Sequence, residues 1–116
     1  NLANNQLTSI QNKTFEGLTN LRELILSENE LSFKENFNLK TKPFLNLRKL
    51  FKLNLNKNPV DLIYRELFAG LENLNILSMM QINLEQINEN DFAELKKLRK
   101  IYLINSNHLN LVDEKA

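Results

Sequence analysis

A chain of 116 residues, 42% of them hydrophobic, is long enough to enclose one core. Its 15 Lys and Arg stand against 14 Asp and Glu, a net charge of +1 that gives no overall attraction for a polyanion and argues against nucleic acid as a partner. No apolar run reaches the roughly 20 residues of a membrane-spanning helix, and the lack of Cys excludes disulfides, thiolate metal sites and a Cys nucleophile.

The first stretch, 1–20, reads as the end of a repeating unit. Leu2, Asn5, Leu7 and Ile10 have the spacing of a motif whose first Leu would fall four positions before Asn1, so the chain is expected to start inside a repeat. From Leu21 the motif stands complete as LRELILSENEL. It returns as LFKLNLNKNPV from Leu50, LNILSMMQINL from Leu74 and LRKIYLINSNHL from Leu98. The later first Leu residues are 24 apart, whereas Leu21 and Leu50 are 29 apart. Phe15, Phe44, Phe68 and Phe92 each precede the next first Leu by six positions, and Leu18, Leu47, Leu71 and Leu95 by three, so the five additional residues lie between Leu31 and Phe44. The expected organisation is one array over 1–116: a partial repeat 1–20, a repeat with an insertion 21–49, repeats 50–73 and 74–97, and a partial repeat 98–116, with no terminal caps.

Within each repeat the apolar pairs Leu24/Leu26, Leu53/Leu55, Leu77/Met79 and Ile101/Leu103 are two apart, which places both members on one face of a strand but on opposite sides of a helix. Looser apolar spacing follows, as in Ile63, Leu67, Phe68 and Leu71, and suits a short helical or irregular return. A single repeat cannot bury its own Leu face, so neighbours must stack to share a core. In the insertion, FKENFNLKTKP, Lys34 stands where an apolar residue is due. Phe33, Phe37 and Leu39 are the candidate substitutes, and a tolerated bulge is expected rather than a docking loop. Asn5, Asn29 and Asn58 occupy the ninth position, where the strand turns away and backbone groups lose their ladder partners. Ile82 takes that place in the fourth repeat, and Asn107 arrives one residue late before Leu109 and Val112; a wider or looser turn is expected at both.

The pattern LxxLxLxxNxL, its 24-residue period and the Phe and Leu of the return segment resemble the leucine-rich repeats, most closely the extracellular "typical" class of Toll-type receptors, small leucine-rich proteoglycans, and Slit-like and chaoptin-like proteins. The resemblance implies an α/β solenoid, a right-handed horseshoe with a concave parallel β-sheet and short helical or irregular convex segments, held by an Asn ladder of Asn5, Asn29, Asn58 and Asn107. It also implies a non-catalytic protein-recognition module in a secreted or receptor ectodomain, serving ligand binding, adhesion or innate-immune-type signalling. The alternative is an intracellular scaffold or regulatory subunit. In such a fold the variable strand positions face outward from the concave sheet: Glu23, Ile25 and Ser27, then Lys52, Asn54 and Asn56, then the later repeats. Ile76, Ser78, Met80, Tyr102 and Ile104, with Lys52 and Lys100, are therefore the candidate residues for binding a protein ligand or receptor partner.

Asn12-Lys13-Thr14 is an N-glycosylation acceptor pattern, which favours an extracellular location when joined to the repeat class. Oligomeric state is left open, as is an anchor elsewhere in the protein. No catalytic constellation is expected: His108 lies near Ser106 and Asp113 in sequence, but a triad needs a base oriented in a formed pocket, and a solvent-facing turn accounts for it. With one His, no Cys and no Gly-rich phosphate loop, neither metal nor cofactor is expected. The four cations of ELKKLRK, 94–100, are expected to serve solubility.

Overall fold

The computed structural model describes residues 1–105. Four strands, β1 (Glu23–Ile25), β2 (Lys52–Asn54), β3 (Ile76–Ile82) and β4 (Lys100–Asn105), form one sheet in chain order with every pair parallel. Leu24 pairs with Leu53, Leu53 with Leu77 and Leu77 with Ile101, so corresponding motif positions sit side by side despite the unequal spacing of the repeats. Their period of two sends Leu24, Leu26, Leu53, Leu55, Leu77 and Met79 to the inner face, where all are buried. Each such side chain contributes about 1.5–3 kcal/mol through loss of contact with water. The Phe column closes the far side of the core. Phe15 stacks on Phe44 at 6.0 Å and Phe68 on Phe92 at 5.8 Å between ring centroids, and all four rings are buried.

Among the described residues, the turns at the ninth positions repeat one backbone device. Asn4, Glu28, Lys57 and Gln81, each just before the ninth position, have positive φ of 56°, 57°, 59° and 58°. The buried Asn that follows then bonds both turns. Asn29 donates through Nδ2 to the carbonyls of Leu2, Leu26 and Ser27, and its Oδ1 accepts from the Asn5 and Leu7 amides of the preceding repeat, both at 3.1 Å. Asn58 does the same one layer on, donating to Leu26, Leu55 and Asn56 and accepting from the Leu31 amide at 3.0 Å. Of the wider or looser turn expected at Ile82, the structure has a local irregularity of register and no displaced left-handed step. Gln81 keeps the left-handed step, β3 runs on to Ile82 with an irregularity between Met80 and Ile82, and the Ile82 side chain is fully buried. Hydrocarbon packing there takes the place of the amide's hydrogen bonds. Asn107, Leu109, Val112 and the Ser106, His108 and Asp113 group lie outside the described residues.

On the convex side a 3₁₀ turn, Arg65–Phe68, serves the third repeat, and the insertion forms a short helix, α1 (Lys34–Leu39). Of the three candidate substitutes for the missing apolar residue, Phe33 fills the core completely, while Phe37 and Leu39 remain exposed. The insertion is tied down by a buried polar chain. Asn36 Nδ2 donates to the Ile10 carbonyl at 2.7 Å and to Thr41 Oγ1 at 2.6 Å, and the Tyr64 hydroxyl donates to the Thr41 carbonyl at 2.7 Å. Three successive repeats are linked through these four residues.

Candidate recognition face

Strand register sets three outward columns on the sheet, with neighbours about 4.8 Å apart. Glu23, Lys52, Ile76 and Lys100 form the first, and Ile25, Asn54, Ser78 and Tyr102 the second. Met80 and Ile104 pair at the end of the third, next to Asn56.

The early half of this face satisfies itself. Lys52 Nζ lies 3.7 Å from Glu23 Oε2, an exposed pair worth at most about 1 kcal/mol. Asn54 Oδ1 accepts from the Asn56 amide at 2.9 Å. Asn56 Oδ1 in turn accepts from the Ser78 hydroxyl at 2.7 Å and the Met80 amide at 2.8 Å, which locks the side chain against its neighbour. Ser78 therefore differs from its expected role as a contact residue. It is only 6% exposed and its hydroxyl is spent on Asn56, so it forms the floor beneath the contacts. Asn56 is an outward position that spacing does not mark as special; the Ser78 it bonds stands diagonally across, opposite Asn54, so only the diagonal Asn and Ser on adjacent strands would have marked it.

The late half has the opposite character. Ile76 and Met80 are half-buried, while Tyr102 and Ile104 are 46% and 58% exposed. Among the described residues the Tyr102 hydroxyl has no hydrogen-bond partner. The four side chains make an apolar strip that ends in an aromatic ring with a free polar tip, and Lys100, exposed, lies at its border. Such a strip can exclude water against a partner while the hydroxyl fixes orientation. Lys52, held by Glu23, stands two strands away from Lys100.

Asn12 projects from the return segment of the first repeat. Its Oδ1 accepts from the Lys42 amide at 2.7 Å, so the side chain is steadied by the insertion, and its Nδ2 has no partner among the described residues. Thr14 Oγ1 accepts from the Gln11 amide at 2.7 Å, shaping the turn that holds the acceptor triplet. Among the described residues no group of three or more His, Asp or Glu side chains is placed to hold a metal ion, and no helix is long and apolar enough to cross a membrane.

The leucine rich repeat family model matches residues 1–60 and 48–109. The chain belongs to the leucine-rich repeat family. Human Toll-like receptor 8 is 31% identical over 125 residues, an alignment that covers 99% of this chain and 12% of the receptor. Human lumican is 39% identical over 75 residues, covering 65% of this chain and 21% of lumican. Among solved structures, that of TLR13 in complex with ssRNA13 superposes with a TM-score of 0.52 at 27% identity, over 86% of this chain and 17% of that one. The chain thus spans 12% to 21% of the length of these two curated relatives. It is a leucine-rich repeat array related to Toll-like receptors and to lumican, with the parallel sheet and scarce helix of that solenoid.

Proposed function

We propose that these repeats belong to an extracellular or receptor ectodomain and bind a protein ligand through the late half of the concave face. One observation carries the reading: Tyr102 and Ile104 stand exposed beside Met80 and Ile76 on adjacent, registered strands, while the rest of the face is occupied by its own polar bonds. An exposed aromatic next to flexible and branched aliphatic groups has the makeup of a binding hot spot. The RNA of the TLR13 complex is a different class of ligand. On this face the cations are Lys52, paired with Glu23, and Lys100, and Tyr102 is the one ring in its three outward columns, which gives bases little to stack on. Asn12 supports the extracellular placement, since its amide nitrogen is free and its triplet sits on an exposed turn.

The test places a photo-crosslinking amino acid at position 102 of the complete protein. A protein adduct that disappears on Ile104→Glu, with secretion unchanged, is the expected result. No adduct from position 102 while a probe at Lys13 on the opposite side yields one removes the concave face from the reading. Glycopeptide mapping of Asn12 decides location: a bare, cytosolic chain replaces the ectodomain with an intracellular scaffold.

A further inference from the structure

The net charge of +1 conceals a separation of charge across the sheet. The chain runs into its strands along one side, here the leading edge. The residues just before each strand, Arg22, Phe51, Asn75 and Arg99, are joined in a line by backbone hydrogen bonds of 2.7–2.9 Å from Phe51 to Arg22, Asn75 to Phe51 and Arg99 to Asn75. Arg48, Lys49, Lys96 and Lys97 lie in the turns that lead into this line, and Lys52 and Lys100 open β2 and β4. The carboxylates on the segments leading into this edge are Glu23, committed to Lys52, Glu94, two residues before Lys96 and paired with Arg65, and Glu72. The trailing edge, where the chain leaves the strands, carries Glu28, Glu30, Asp61 and Glu85 against Lys57.

Distance decides whether the two edges cancel. Arg22 and Glu28 are separated by six residues of near-extended chain at about 3.3 Å each, on the order of 20 Å, whereas charge is screened over about 8 Å at physiological salt. The leading edge therefore keeps its own positive field. Arg22 and the Arg48, Lys49 pair stand on successive repeats, about 4.8 Å apart and within that screening length, whereas Lys96, Lys97 and Arg99 form a second cluster two strands on, about 10 Å away across the repeat that carries Glu72.

Two of the ammonium groups are held in place. Lys49 Nζ donates to Asn20 Oδ1 at 3.1 Å and Lys97 Nζ to Asn73 Oδ1 at 2.9 Å, each reaching back one repeat to a neutral partner. Each keeps its full charge and two free donors. Among the described residues no carboxylate pairs with Arg22, Arg48, Lys49, Lys96, Lys97 or Arg99. A shallow concavity of about 370 Å³ lies beside the second cluster, lined by Asn75, Lys96, Lys97, Leu98 and Arg99.

We propose that the leading edge is a docking strip for a linear, sulfated glycosaminoglycan running along the solenoid axis. The partner is a polyanion because two clusters of exposed cations without carboxylate partners, Arg22 with Arg48 and Lys49, and Lys96 with Lys97 and Arg99, lie on one edge about two strand spacings apart, so one linear chain of negative charge can meet both. It is a sulfated sugar rather than a single-stranded nucleic acid because stacking platforms for successive bases are missing. The line of pre-strand residues contains one exposed ring, Phe51, and its other members are Arg22, Asn75 and Arg99. One ring can lie against one sugar face while the flanking cations meet the sulfates. The strip takes only the extracellular placement from the proposed function and uses none of the four apolar side chains of the concave patch, Ile76, Met80, Tyr102 and Ile104; Lys52 and Lys100 lie where the two surfaces meet.

The experiment measures binding of the complete, purified protein to a defined heparin fragment, to the same fragment chemically desulfated, and to poly(U) RNA, across a salt series. The expected order is heparin first, with the desulfated fragment and the RNA each at least about tenfold weaker at physiological salt. Substituting Lys96→Gln and Lys97→Gln together weakens heparin binding and lowers the slope of log affinity against log salt by about two. Lys57→Gln on the trailing edge and Tyr102→Ala on the concave patch change neither. Heparin bound no better than its desulfated form, poly(U) bound as tightly as heparin, or Lys57→Gln acting as strongly as the pair overturns the strip. Thermal unfolding of each variant separates loss of binding from loss of fold. A secreted protein glycosylated at Asn12 that ignores heparin sinks the strip and leaves the ectodomain reading standing. A cytosolic protein sinks the ectodomain reading whatever heparin does in the tube.

Discussion

Gly70 lies against the backbone of Leu45 so closely that a Cβ on it would stand 2.6 Å from both the Leu45 Cα and its carbonyl carbon. Gly70 also has a φ of +91°, a conformation that side chains resist. Gly17, the corresponding residue two repeats earlier, has a φ of +87° and open space where its Cβ would go. The pair separates two effects. Gly17→Ala carries only the backbone penalty, about 1–2 kcal/mol. Gly70→Ala adds an overlap with backbone that cannot swing away, a further 1–3 kcal/mol or so. Urea unfolding midpoints for the two variants are expected to fall in that order, and equal midpoints would remove the close approach as a constraint.

The Asn ladder makes a prediction graded by position. Asn58 is buried and bonds backbone groups in two turns, so Asn58→Leu takes the partner from the Leu55 carbonyl and the Leu31 amide, while the Leu26 carbonyl keeps its bond from Asn29. Orphaned buried groups cost about 1–3 kcal/mol each, and the Leu side chain recovers only part of this. Asn5 is exposed and its side chain bonds only the Leu2 and Ala3 carbonyls. Asn5→Leu is expected to cost under about 1 kcal/mol, and Asn58→Leu at least about 3 kcal/mol, by chemical denaturation.

These cases show what could be read before the structure. Leu24, Leu53 and Leu77 were legible as one column, because a period of two within strands and of 24 between repeats has no other packing solution. The ninth-position Asn was legible for the same reason, and so was the outward direction of Tyr102. Ser78 was misread because exposure on a sheet face depends on what the adjacent strand offers, and Asn56 happens to offer an acceptor. The turn at Ile82 was legible in part: the register is irregular between Met80 and Ile82, but the left-handed step at Gln81 is kept by the backbone without the Asn. The Asn36, Thr41 and Tyr64 chain was invisible, since an insertion has no counterpart in other repeats to compare with.

That chain gives a third prediction. Tyr64 is buried, with its hydroxyl on the Thr41 carbonyl and its ring edge-on to Phe37 at 5.7 Å. Burial foremost raises the phenol above its ordinary pKa, with Glu66 adding to that and the Thr41 bond opposing it, so the neutral donor is the form that holds the insertion. Tyr64→Phe keeps the ring and removes the donor, at about 1–2 kcal/mol. The loss should be local. The Phe37 amide, bonded to the Phe33 carbonyl at 2.8 Å, is expected to exchange hydrogen about tenfold faster, while the Leu53 amide in β2 is little changed. Equal acceleration at both positions would mean that the insertion is not a separate unit.

Asp91 supplies the pH-dependent case. Its carboxyl is almost completely buried just before Phe92 and accepts from the Asn88 amide at 2.8 Å, as Thr14 Oγ1 accepts from the Gln11 amide before Phe15. Burial pushes the Asp91 pKa up, the Asn88 bond pulls it down, and the Glu66 charge adds to the rise, leaving it above the ordinary value. A folded-state pKa above the unfolded one, about 3.9, means that the folded form holds the proton more tightly. The group therefore adds stability below the unfolded pKa, and that contribution is lost as pH rises through the folded pKa. At neutral pH the ionised carboxylate is a burden on the fold. Asp91→Asn keeps an acceptor for the Asn88 amide without the charge, so its melting temperature is expected to exceed that of the unaltered chain at pH 7. The advantage should shrink as the solution is acidified and be gone near pH 3, where both side chains are neutral. A variant less stable at pH 7, or one whose advantage grows toward acid, would place the carboxylate among the groups that hold the fold.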